Sequence, residues 1–341
     1  MRFWQLLQFH RFFSLFMFVV LSTFSFQVLA QTEPPETPEA SWETSEVDDS
    51  ATAPLTLIWQ TEFTKEAMLV SPGDIAIDWD GNVFVSTQSG NSVKKFDSEG
   101  KFVTEWGGNG SDEGEFKLSL GIGVDSDSNV YVTDFYNNRI QKFDNEGTFL
   151  TQWASEPRSV SPAFLAVDAQ NNVYIDLFPP QDEHYVHKFD SEGTLLGQWG
   201  SDDEQFGGLI EDIAVDAEGN LYVADRNMHR IQKLDTDGKL VATFGGELGT
   251  AGEGLFNSPF GVAVDGEGYI YVLDSRFLQK LDWEGNFVAQ WSTAGGDLDK
   301  ATNVAADADG NIYVFAGADV TAANGSIVNV VVLKKFGQMW P

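Results

Sequence analysis

The chain has 341 residues, a formal net charge of −32, 33 glycines, 13 % aromatic residues and no cysteine. The missing cysteine excludes disulfides, thiolate zinc sites and cysteine nucleophiles, and a hydrophobic fraction of 42 % excludes global disorder. So negative a field repels phosphate backbones, and nucleic acid is not an expected partner.

Residues 1–30 read as an export signal. Arg2 and Arg11 are its only charges, an apolar run extends from Phe12 to Phe26, and Val28-Leu29-Ala30 offers the small residues a signal peptidase reads. Cleavage is expected after Ala30, leaving a secreted or periplasmic chain of charge −34 with no membrane-spanning segment. An uncleaved anchor is disfavoured because Ser and Thr interrupt the run. Residues 31–54, QTEPPETPEASWETSEVDDSATAP, carry seven acids and no base, the composition of a disordered acidic linker.

From Leu55 onward the chain repeats. A hydrophobic strand ending in Asp, a short turn with Gly or Asn, and a second strand with an aromatic occur as DIAIDWDGNVFV (74–85), GIGVDSDSNVYV (121–132) and FLAVDAQNNVYI (164–175). They recur as DIAVDAEGNLYV (212–223), GVAVDGEGYIYV (261–272) and NVAADADGNIYV (303–314). The anchoring residues are Asp78, Asp125, Asp168, Asp216, Asp265 and Asp307, spaced by 47, 43, 48, 49 and 42. A second hairpin follows in each copy, for example VKKFDSEGKFVTEW (93–106) and IQKFDNEGTFLTQW (140–153). Alternating apolar and polar residues around Asp-x-x-Gly turns predict antiparallel hairpins. Four strands at this period predict a propeller blade.

The ends predict how the ring closes. The sixth copy has a third strand, IVNVVVLKKF (327–336), and no fourth. The unmatched strand PLTLIWQT (54–61) aligns with the fourth strands, placing Trp59 in the column of Trp106, Trp153, Trp199, Phe244 and Trp291 at spacings of 47, 47, 46, 45 and 47. The expected fold is therefore all-β: a six-bladed β-propeller of four-stranded antiparallel blades over residues 55–341, closed by the N-terminal strand, which leaves no free sheet edge around the circle.

Copies such as NVYVTDFYNNRIQKFD (129–144) and NLYVADRNMHRIQKLD (220–235) resemble the NHL repeat, in the secreted, bacterial-type form of that family, over about residues 55–336. Asp134 with Arg139, and Asp225 with Arg230, match the family's Asp and Arg positions; blade 5 keeps Asp274 in a shortened loop, and blades 1, 3 and 6 carry Thr87, Leu177 and Ala316 there. The match implies a rigid binding disc, a monomer, whose partner is a protein, peptide or glycan.

The strings DWDGN, DSDSN, DAEGN and DADGN invite a calcium-loop reading, but a strand follows each at once where that loop needs further oxygens and helices. Asp capping its own turn is the expected chemistry. The Asp–Arg pairs are expected to brace the loop between second and third strands, with ligand contact as the alternative. Repeated Trp and Tyr positions are expected to pack between blades.

Function is sought where the repeat breaks. From the second-strand aromatic to the third-strand apolar residue the count is 12 in blades 1, 2 and 4, but 15 in blade 3, 10 in blade 5 and 23 in blade 6. Blade 3 contributes the loop 177–187 with His184 and His187, a weak zinc pattern beside Asp182 and Glu183, and blade 6 a small-residue loop over 316–326. Candidate ligand residues on this face are Tyr136, Arg139, Arg226, Arg230, Arg276, His184 and His187, together with Phe260. The inner strands start with Gly121 and Gly261 in two blades, but with Asp74, Phe164, Asp212 and Asn303 in the other four. Asp74, Asp212 and Asn303 should converge on the channel mouth, where they would hydrate the opening, or hold a polar ligand or calcium as a cofactor.

Two functions follow. The first is a non-enzymatic binding module outside the cytoplasm. The second is a metal-dependent hydrolase or lyase of the lactonase kind, with its site at the channel mouth. The zinc chemistry of amidating lyases is not expected, because only His184, His187 and His229 follow the signal and cysteine is lacking. No catalytic residue is assigned from the sequence.

Overall fold

The computed structural model describes residues 55–61, 68–69, 71–155, 160–178, 185–200, 206, 209–246, 253–321 and 327–338. The expected export signal, the acidic linker and His184 lie outside the described residues. The rest forms six four-stranded antiparallel sheets. Their inner strands are Pro72–Ile77, Ser119–Val124, Ser161–Val167, Ile210–Val215, Gly261–Val264 and Asn303–Ala306. Each touches the next, and the last touches the first, so the ring is closed.

Closure follows the expected route. Leu55–Gln60 pairs antiparallel with Ile327–Gln338, Leu55 opposite Gln338 and Gln60 opposite Lys334, and becomes the outer strand of the sixth blade. The same strand reaches the first blade. Trp59 lies edge-on to Tyr313 of blade 6 at 5.9 Å, and its indole N–H donates to the Ser98 carbonyl of blade 1 at 2.8 Å. Its ring fills the place where a Cβ at Gly100 would stand, and Gly100 has φ of +80°. Glycine is therefore required there twice, by conformation and by space.

That contact is the general blade joint. Trp106 packs on Phe84 of its own blade at 6.3 Å and on Phe143 of the next at 6.1 Å; Trp153 does the same with Tyr131 and Phe189 at 6.0 and 6.2 Å. The core is accordingly divided into clusters between neighbouring blades, such as Phe84 and Val93 with Ile122, Val130 and Phe143. Second and third strands are buried on both faces, the third strands carrying buried polar and charged residues such as Lys94 and Lys95, whereas outer strands such as Phe102–Gly107 alternate.

The six anchoring aspartates cap their turns. Asp125 Oδ1 accepts the backbone N–H groups of Asp127 and Asn129 at 3.0 and 2.8 Å, and Oδ2 accepts the Tyr131 hydroxyl at 2.9 Å. Lys142 stands 3.3 Å from the same oxygen and lies over the Tyr131 ring. Lys188, Lys233 and Lys335 repeat this arrangement with Asp168, Asp216 and Asp307. Buried negative charge is thus matched by one lysine from the third strand, which is why the turn can sit at the inner edge of a blade.

Blade 6 differs from expectation. The segment 316–326 is not a loop throughout, because its strands continue as Ile312–Thr321 and Ile327–Gln338 in unbroken register from Ala316 opposite Val332 to Thr321 opposite Ile327. Val320, Thr321 and Val328 favour extended backbone, so the inserted residues lengthen the hairpin.

Candidate functional site

The inner strands of blades 1 to 4 each carry an irregularity two residues long near their start: between Pro72 and Ile75, Ser119 and Ile122, Pro162 and Leu165, and Ile210 and Ile213. Such bulges re-aim side chains. In blade 2 the position is Gly121, where a Cβ would meet the Ala163 carbonyl oxygen and the Leu165 nitrogen of blade 3. In blades 1 and 4 it holds Asp74 and Asp212.

Both aspartates are buried and bonded across blades. Asp74 Oδ1 accepts the Ile75 N–H at 2.8 Å and the Asn303 amide of blade 6 at 3.2 Å, while Oδ2 accepts the Ile122 N–H of blade 2 at 3.2 Å. Asp212 Oδ1 accepts the Ile213 N–H at 2.8 Å, and Oδ2 the Val262 N–H of blade 5 at 2.9 Å. Each joins its blade to the next. Burial is the main cause that raises both carboxyls, Asp74 to about 6, against the lowering effect of the N–H donors. Asp212 goes well above the usual carboxylate range, because the charge of Asp74 adds to its burial. Both line a cavity of about 170 Å³ walled otherwise by inner-strand aliphatics. Asn303 is 5 % exposed, and its Oδ1 has no hydrogen-bond partner among the described residues.

Asp74, Asp212 and Asn303 do converge, but as buried staples between blades rather than as a hydrated rim. Spacing gave no signal of this, since the bonds span 48, 50 and 229 residues.

The other candidates are distributed differently. Arg139 Nε donates to buried Asp134 at 2.7 Å, and its Nη2 donates to the Asp112 and Glu115 carbonyls at 2.8 Å, so it braces two loops. Arg230 holds Asp225 at 2.9 Å in the same way. Arg226 pairs at 2.5 Å with Glu211, the residue before Asp212, and so belongs to the channel mouth. Arg276 is exposed, on the tight turn that Asp274 caps through the N–H groups of Arg276 and Phe277. Tyr136 is 41 % exposed and stands edge-on to Phe135 at 5.1 Å.

Three candidates are packing residues. Phe164 is buried in the cluster of Leu120, Phe135 and Ile210, and Phe260 packs against the cluster of Tyr271 and Leu273. His187 is not in an exposed loop: it lies on the strand Tyr185–Phe189, 2 % exposed, between Tyr185 and Phe189 rings at 6.4 and 5.9 Å. Burial lowers its pKa. It occupies the column of Gln141 and Gln279, whose side chains hold the loops leading into their blades. Among the described residues no group of three His, Cys, Asp or Glu side chains is placed to hold a metal ion. No helix among them is long and apolar enough to cross a membrane.

The NHL repeat model matches residues 120–143 and 209–234, the third-strand repeats of blades 2 and 4 included. No curated relative matches the chain. Among solved structures, virginiamycin B lyase from Staphylococcus aureus aligns at 12 % identity over 84 % of this chain and 100 % of that one, with a TM-score of 0.56. A gluconolactonase from Xanthomonas campestris aligns at 15 % identity over 80 % and 88 %, with a TM-score of 0.54. The calcium-binding protein regucalcin from Agrobacterium tumefaciens aligns at 12 % over 81 % and 94 %, with a TM-score of 0.55. Identities this low speak for the fold alone. With six four-stranded blades closed into a ring, the chain is a six-bladed β-propeller, and two of its blades carry segments that match the NHL repeat.

Proposed function

We propose that the propeller is a non-enzymatic recognition module, exported from the cytoplasm, that takes a polar group of a protein, peptide or glycan at the mouth where the inner strands begin. The observation that supports this most is the buried Asn303 Oδ1 left without a partner beside two mutually repelling carboxylates. An unsatisfied buried acceptor and a destabilised anionic pair both gain from a donor-rich ligand. Screening peptide and glycan arrays with the wild type and with Asp212→Asn tests it. Ligands should bind the wild type and be lost in the variant; equal binding by both would reject this mouth as the site.

A second reading has calcium at the same mouth. Asp74, Asp212 and Asn303 present oxygen, the donor type calcium requires, though three residues leave half or more of its usual six to eight positions to water. The raised carboxyl pKa values fit a site that would gain from a cation. Calcium would act there as a Lewis acid on an ester or lactone carbonyl. Titration calorimetry decides: heat on calcium addition, a thermal shift reversed by EDTA and loss of both in Asp212→Asn support it. Absence of heat rejects it.

A further inference from the structure

The opposite end of the channel has a different chemistry. A cavity of about 380 Å³ opens where the inner strands finish, lined by the six anchoring aspartates and by the residue after each. Those next residues are Trp79, Ser126, Ala169, Ala217, Gly266 and Ala308. Five are small and leave the mouth open; blade 1 alone places an indole there. Trp79 is 72 % exposed, so it is not one of the tryptophans that join blades.

A second cavity, of about 350 Å³, shares Asp216, Ala217, Asp265 and Gly266 with the first and runs out to Trp283 on the outer hairpin turn of blade 5. Trp283 is 62 % exposed. Trp79 and Trp283 are the two most exposed large apolar side chains among the described residues, and both lie along one groove on one face. Two indoles left in water on a closed, well-packed fold call for an explanation.

The walls supply one. Beyond the anchoring aspartates, Asp80, Asp309, Glu218 and Glu267 line the groove. Its only cations among the described residues are Lys335, tied to Asp307 and lying over Tyr313, and Lys233, tied to Asp216 and lying over Tyr222. A hard metal ion finds little here, because the anchoring carboxylates are bonded to their own turns and, in every blade but the first, to a tyrosine hydroxyl. A cation that keeps its protons and stacks on an aromatic face needs no open inner-sphere oxygens.

We infer that this turn-side groove binds an extended basic peptide segment of a partner protein, with Arg or Lys side chains stacked on Trp79 and Trp283 and held by the acidic walls. Charge complementarity selects the partner's sign, and the two indoles select a cation carried on a stem rather than a bare ion. The surface is distinct from the mouth at Asp74 and Asp212.

Fluorescence anisotropy with a labelled hexa-arginine peptide tests the inference. The wild type should bind in a salt-sensitive manner, and Trp79→Ala with Trp283→Ala should weaken binding by about tenfold or more, with no change in net charge. Trp79→Phe should retain most of the affinity, and Asp80→Asn should weaken it about two- to fivefold. Asp74→Asn and Asp212→Asn should leave it unchanged, which separates failure here from failure at the other mouth. Binding by the double tryptophan variant within about twofold of wild type would overturn the inference, as would tight binding of spermine with none of the peptide. Unchanged thermal unfolding of the tryptophan variants shows that any loss is local.

Discussion

The two ends of the channel are made by the same six strands and differ in how their carboxylates are satisfied. At the turn end every blade has an aspartate, and each bonds to groups four residues further along and in most blades also two and six further along, as Asp168 does with Gln170, Asn172 and Tyr174. At the strand-start end only two blades have an aspartate, and each bonds to the neighbouring blade. The first arrangement is local and recurs around the ring, so it gives stability. The second is long-range and asymmetric, so it gives a ring of equivalent blades one distinguishable axis, through blades 1 and 4.

That contrast can be broken at several points. The largest effect is expected at the turn end: Asp168→Ala removes the turn cap, the Tyr174 partner and the Lys188 partner together, and should cost about 3–5 kcal/mol of stability in urea denaturation. A cost below about 1 kcal/mol would show that these carboxylates are not structural. Next is Trp59→Ala, which opens the joint between blades 6 and 1 and should cost about 2–4 kcal/mol, with faster proteolysis near Leu55. Proteolysis unchanged by that substitution would argue that pairing alone closes the ring.

The strand-start end should show its character in pH dependence. In the unfolded chain Asp74 titrates near its ordinary 3.8, and in the folded protein near 6. Between these values the folded state keeps a proton that the unfolded state has released, so this group's contribution to stability falls as pH rises through that window and stays low above it. Asp212, also raised, has the same sign. The stability of the Asp74→Asn, Asp212→Asn double variant relative to wild type should therefore climb from about pH 4 to pH 7, by about 3 kcal/mol. A constant difference would mean that the two carboxyls titrate as ordinary surface groups. The smallest effect is expected at Trp79→Ala, within about 0.5 kcal/mol of wild type, because the indole is mostly in solvent.

The candidate site was less legible than the fold for a physical reason seen in particular residues. The bonds of Arg139 and Arg230 are legible in the sequence because their partners lie five residues away on the same hairpin. His187 was misread as a loop residue because strand Tyr185–Phe189 begins two residues earlier than it, within what reads as an insertion. Trp79 carries no signal along the length of its own repeat. It stands out in the column of residues that follow the anchors, where the other five blades carry Ser, Ala or Gly.

Sequence by itself determined the blade count, the hairpin turns and the closing strand, because each depends on contacts that recur at a fixed short spacing: Asp to its own turn, tryptophan to the column of blade joints, alternation along outer strands. The three-dimensional ring alone decided that Asp74 meets Asn303 and Ile122, that Arg226 answers Glu211 beside Asp212, and that Trp79 and Trp283 share one groove. Those pairings depend on which strands and blades become neighbours in the closed ring and on how far each side chain is removed from water. Neither quantity has a period in the chain.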